Sequence, residues 1–183
     1  MQYSEYTQLF EQILKNENPP VPYDNPDYFN YTKLNESRMK RWVKTMEIDE
    51  ELKSVLGTVQ VKQHWIIIVE PWCGDASHIV PFLVRFAELS DKITYELQLR
   101  DTEPFLIDDY LTNGGKAIPK LISRDENGND LFVWGPRPYG ALDLMNRLKE
   151  ENADFEKIKV ELQNWYNEDK GRQIQSELKK LLK

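Results

Sequence analysis

The sequence predicts an α/β fold with a central mixed sheet and extra helices at both ends. Three observations carry the prediction. Trp65-Ile66-Ile67-Ile68-Val69 is a short β-branched run, the pattern of a strand buried on both faces. Ile79, Phe82, Leu83 and Phe86 follow at helical spacing, and Ile93–Leu99 reads as the next strand. Two strands joined through a helix imply a right-handed parallel crossover. Asn127-Gly128 then marks a hairpin between Lys120–Ser123 and Asp130–Trp134, which adds an antiparallel pair.

The flanking elements follow from the same reasoning. Tyr6, Leu9, Phe10, Ile13 and Leu14 make one apolar face, so residues 4–16 read as a helix with Ser4 as N-cap. Pro19, Pro20, Pro22 and Pro26 make residues 16–31 a stiff, extended connection, and its tyrosines place it along the surface of the domain. Residues 35–46 read as a helix with Met39, Trp42, Val43 and Met46 on one face. Residues 49–56 read as another, started by Asp49 and stopped by Gly57. A short helix is expected at 104–111, ended by Asn113-Gly114-Gly115, and another at 138–150. The tail from Asp154 to Leu182 is helical, with Gly171 as a break.

Composition narrows the function classes. A chain of 183 residues, 40% apolar and 30% charged, is ordinary for a soluble domain with a sizeable core. A net charge of −7 argues against a dedicated nucleic-acid binder. No apolar run approaches the ~18 residues of a membrane span. The first residues lack a basic segment followed by an apolar one, so no secretory signal is expected. The single cysteine, Cys73, cannot form an intrachain disulfide, and the expected location is cytoplasmic.

Cys73 falls where the strand pattern gives way to the helix pattern, with Gly74 and Asp75 at the joint. There its sulfur lies near free backbone N–H groups and the positive end of the helix dipole, a placement that lowers a thiol's pKa. Trp72-Cys73-Gly74, with Pro81 one turn into the helix, resembles the active-site signature of the thioredoxins. Ile118-Pro119 occupies the position of that family's cis-proline, and Asn127-Gly128 and Gly135 fall at its last hairpin turn and the glycine after its last strand. The resemblance covers roughly residues 58–150. It implies a three-layer α/β/α core at 58–150, preceded by helices and the Pro-rich connection at 1–57 and followed by a helical extension at 151–183, in a single domain.

The resemblance also implies a site. Cys73 would be the nucleophile, with Asp75 either a proton carrier or a first-turn helix stabiliser. Trp72, Gly74, Ile118 and Pro119 would hold a substrate, Ile118 offering its backbone to an extended strand. The second cysteine of the family's motif is replaced by Ala76, so a mixed disulfide at Cys73 must be cleared by an outside thiol. Glu70 and Asp75 oppose a thiolate. The family's buried acid would fall at Ile67, which removes that proton relay. His78 either pairs with Asp75 at i, i+3 or is a solvated helix histidine. His64, Cys73 and His78 have no metal-ligand spacing, so neither metal nor cofactor is expected. Cys-Gly is shared with monothiol glutaredoxins, but Asp75-Ala76 replaces their Phe-Ser.

Two readings result. One is a monothiol thiol–disulfide protein whose partners are protein or small-molecule thiols and disulfides. The other is a redox-silent binding module using the groove between Trp72 and Pro119. Whether the chain is an enzyme turns on whether Cys73 is accessible. No nucleic-acid or membrane partner is expected, and a monomer is favoured over a homodimer.

Overall fold

The sheet is built outward from one strand. β1 (Gln63–Val69) pairs in parallel with β2 (Ile93–Leu99) and antiparallel with β3 (Lys120–Arg124), which pairs antiparallel with β4 (Asp130–Trp134). The order β2-β1-β3-β4 gives the mixed sheet. Trp65 to Val69 are all buried, so both faces of β1 are covered, as a β-branched run without polar alternation requires. The computed structural model describes residues 1–183.

Seven helices surround this sheet. They are α1 (Tyr3–Lys15), α2 (Pro26–Thr45), α3 (Glu50–Gly57), α4 (Gly74–Glu88), α5 (Tyr139–Glu150), α6 (Phe155–Asp169) and α7 (Arg172–Leu181). α4 is the most buried: Ile79, Phe82, Leu83 and Phe86 are all enclosed, and Trp42 of α2 packs on Phe82. Ahead of α1, Met1 exchanges backbone hydrogen bonds with Leu97 on the outer edge of β2, both at 2.8 Å.

Three expectations are corrected. The N-cap of α1 is Gln2, and Ser4 lies inside the helix. Residues 26–31 are the first turns of α2, and the extended connection stops at Asn25. Proline is tolerated at the first helical position, where its missing N–H has no intrahelical role, and the Asn25 side chain caps the helix by accepting from the Asp27 N–H at 2.8 Å. The helix expected at 104–111 is a single 3₁₀ turn, Leu106–Asp109. Phe105 before it has φ 54° and cannot continue a right-handed helix. At the other end of the chain, Gly171 does separate two helices. Its φ is +77°, and a Cβ there would lie 2.4 Å from the Phe82 ring, so only glycine lets the α6–α7 elbow pack on α4.

Candidate functional site

Cys73 is the N-cap residue of α4. The turn that delivers it runs from Glu70 through Pro71 and Trp72, and is closed by the Cys73 N–H donating to the Glu70 carbonyl at 3.0 Å. The sulfur points inward. Cys73 is only 7% exposed, and its thiol contacts the Ile118 carbonyl at 3.5 Å. Burial pushes the thiol up to about 12, with the neighbouring Asp75 carboxyl adding to the effect. The amides of Ala76 and Asp75 and the Arg137 guanidinium pull the other way and are outweighed. The expected activation by the helix N-terminus is therefore present but loses to desolvation.

Asp75 faces two partners that local sequence did not reveal. Arg137 makes a two-point ion pair with it, Nε donating to Oδ1 at 3.0 Å and Nη2 bonding Oδ2, and the Tyr166 hydroxyl donates to Oδ1 at 2.8 Å. Arg137 reaches the site from the loop after β4. Gly135 holds that loop against the proline segment with φ +118°. A Cβ at Gly135 would sit 2.4 Å from the Pro119 carbonyl oxygen.

His78 neither pairs with Asp75 nor faces solvent. It is buried, accepting from the Trp42 indole N–H through Nδ1 at 2.9 Å and facing the Gln163 side-chain oxygen through Nε2 at 3.2 Å. Its ring stacks on Tyr166 at 4.4 Å and 5°. The indole can only donate, so Nδ1 is the acceptor and Nε2 carries the proton. Burial and the nearby Arg38 hold the imidazole down at about 3.

Trp72 and Gly74 flank Cys73 in the chain, the Ile118 carbonyl lies against its sulfur, and the Ile118–Pro119 peptide is cis. Ile118 and Pro119 are both buried. Trp72 is half-buried, with the edge of Tyr28 at 5.5 Å and the Arg100 guanidinium 4.7 Å from its ring centre. α2 lies over the same turn: Asn35 donates to the Pro71 carbonyl at 2.9 Å and accepts from Arg38 at 2.9 Å. On the outside of this turn, Tyr28 and Asn35 set the chain's own N-terminal section against Trp72 and Pro71.

Sequence reasoning missed Asn35, Arg137 and Tyr166. Asn35 was the most accessible of the three, since it shares a helical face with Met39 and Trp42. It also missed the burial of Glu70, whose carboxyl is pushed up to about 6 by desolvation despite accepting from the Asp101 amide at 3.0 Å. No cluster of three or more His, Cys, Asp or Glu side chains is placed to hold a metal ion.

No curated protein matches the chain. A crystal structure of an HIV epitope scaffold superposes with a TM-score of 0.52 at 16% identity, over 100% of this chain and 98% of that one. A Pseudomonas aeruginosa protein of unknown function gives 0.47 at 16% identity, over 94% and 99%. A family model described as thioredoxin matches residues 21–153, a span that takes in α2 and α3 as well as the sheet. With a cysteine at the start of α4, a proline segment opposite it and that match over most of its length, the chain belongs to the thioredoxin family.

Proposed function

We propose that this protein is a redox-silent thioredoxin-family member that acts by binding and not by thiol–disulfide exchange. The observation that carries the reading is the enclosure of Cys73, whose sulfur is buried against Ile118 with its thiol pushed up to about 12. Exchange needs a thiolate that a disulfide can reach. With the thiol raised so far by burial, very little of it is ionised at neutral pH. Ala76 supplies no resolving sulfur. In this reading Trp72, Gly74, Ile118 and Pro119 anchor the chain's own α2 and the loop after β4.

The amides of Asp75 and Ala76 and the guanidinium of Arg137 favour a second reading, because each stabilises a sulfur anion. Here α2 lifts from the turn and Cys73 becomes a monothiol nucleophile with Asp75 as proton carrier. Trp72, Gly74, Ile118 and Pro119 then hold a thiol or disulfide partner, and an external thiol clears the mixed disulfide. Both readings place the chain in the cytoplasm as a monomer.

The rate of Cys73 alkylation against pH, followed by intact mass on protein purified without reductant, separates them. The redox-silent reading expects native protein to react at least ~100-fold more slowly than denatured protein, with no inflection below the free-thiol value of about 8.5 and no small-thiol adduct. Fast native alkylation with an inflection below that value overturns it and supports the monothiol reading.

A further inference from the structure

The end of α2 and the α6–α7 elbow line a cleft of about 520 Å³ to which Cys73 does not contribute. Residues 154–183 lie beyond the family match, so half of this cleft is built by the chain's own C-terminal extension. Three cations line it: Arg41, Lys170 and Arg172. None of the three is ion-paired with a carboxylate, although the chain carries 31 acidic residues against 24 basic ones.

Two of these cations are held in place. The Arg41 guanidinium lies 4.6 Å from the ring centre of Trp42, and its Nη2 donates to the Asn167 side-chain oxygen at 2.7 Å. Arg172 donates to the carbonyls of Glu168 and Asp169 at 2.8 and 3.0 Å. Those bonds use Nη2 of Arg41, and Nη2 and Nε of Arg172, so each guanidinium keeps N–H groups for another acceptor. Lys170 sits at φ 52°, a left-handed conformation that costs a residue with a Cβ and that glycine or asparagine adopts more readily. The elbow thus carries a lysine where another residue would serve the turn better, and that lysine lines the cleft.

Glu47 and Glu168 also line the cleft, which leaves one excess positive charge in a chain of net −7. A polyanion would be repelled by these carboxylates, whereas a single anionic group is matched. We propose that this cleft is a binding site for a small molecule carrying one phosphate or carboxylate group, its oxygens taken by Arg41, Lys170 and Arg172. Held guanidiniums recognise such oxygens with little ordering cost. The cleft has the volume of a small-molecule site, and its lining is polar apart from Trp42, which suits a small charged ligand. The inference does not depend on the state of Cys73.

Amide and indole shifts of the full chain, titrated at constant ionic strength with inorganic phosphate and separately with acetate, test it. The expected result is saturable shifts confined to Trp42, Asn167, Lys170 and Arg172. Response to phosphate alone assigns a phosphorylated ligand, and response to acetate assigns a carboxylate. Lys170→Asn is expected to weaken binding roughly fivefold while leaving the melting temperature unchanged or higher, because asparagine suits the left-handed backbone. Arg41→Gln is expected to weaken it at least as much. Absence of saturable shifts with either probe, or binding that both variants leave intact, overturns the proposal.

Discussion

The Trp42 indole donates to Nδ1 of His78 at 2.9 Å, and this one bond fixes the histidine as neutral with its proton on Nε2. Protonating His78 would place two donors face to face inside the protein. Its folded value of about 3 lies below the ordinary 6.5, so the unfolded chain binds the extra proton between those limits. Stability is therefore full above about pH 6.5 and is lost progressively as pH falls toward 3, by at most on the order of 5 kcal/mol. Glu70 acts in the opposite sense over a narrower window. Its carboxyl is raised from 4.5 to about 6, so its contribution is present below 4.5 and fades as pH rises through 6. Urea unfolding from pH 3 to 8 should show the acid loss in the parent protein. His78→Gln, which keeps an acceptor for Trp42 and cannot titrate, should remove most of it.

Asp75→Asn takes the ion pair from Arg137 and weakens the acceptor for Tyr166. The guanidinium is then left largely enclosed without an anion, at an expected cost of about 1–3 kcal/mol. The same change removes a carboxyl that raises the Cys73 thiol. Ultraviolet titration of the thiolate should show the thiol moving down from about 12 while staying above its ordinary value, because burial is the larger cause. A thiol that does not move would mean that Asp75 is electrostatically uncoupled from the sulfur.

Gly135→Ala should be among the most damaging single substitutions. The new Cβ meets the Pro119 carbonyl oxygen at 2.4 Å, backbone against backbone, and alanine resists φ +118°. We expect a loss of more than ~2 kcal/mol in chemical denaturation. Cys73 should alkylate faster in the surviving folded protein, since the Gly135–Arg137 loop is displaced from the site.

Asn35→Ala leaves the buried Pro71 carbonyl without its donor and frees Arg38 from its acceptor. An unsatisfied buried group costs about 1–3 kcal/mol. Paired measurements of stability and native-state alkylation tell how Cys73 becomes exposed. A rate that rises in step with lost global stability means exposure by whole-molecule unfolding. A rate that rises further means that α2 lifts on its own.

The frame of the molecule was legible because its signals are local. The 93–99 strand and the hairpin at Asn127-Gly128 matched the structure closely. Pro26 was misread because one residue type both breaks and begins helices, and only its cap, Asn25, distinguishes the cases. Phe105 gave no warning, since a left-handed aromatic residue is set by its surroundings and not by its own preference. The site divides in the same way. The positions of Cys73, Trp72, Ile118 and Pro119 could be read from spacing and resemblance. The environment of the sulfur could not, because the Ile118 carbonyl, Arg137 and Tyr166 reach it from distant parts of the chain, while Tyr28 and Asn35 cover the turn before it. Local periodicity says nothing about which distant side chains will close over a helix end.

The order in which the chain is made gives that distance a temporal meaning. Asp75 waits for a partner 62 positions downstream in Arg137 and another 91 positions downstream in Tyr166, while His78 waits 85 positions for Gln163. Domains emerge from the ribosome N-terminal end first. The lone cysteine is therefore synthesised long before the residues that complete its enclosure, and the nascent chain carries a less protected thiol than the finished protein. A ribosome stalled before α6, or a chain cut there, would leave the N-terminus of α4 without Tyr166 and Gln163.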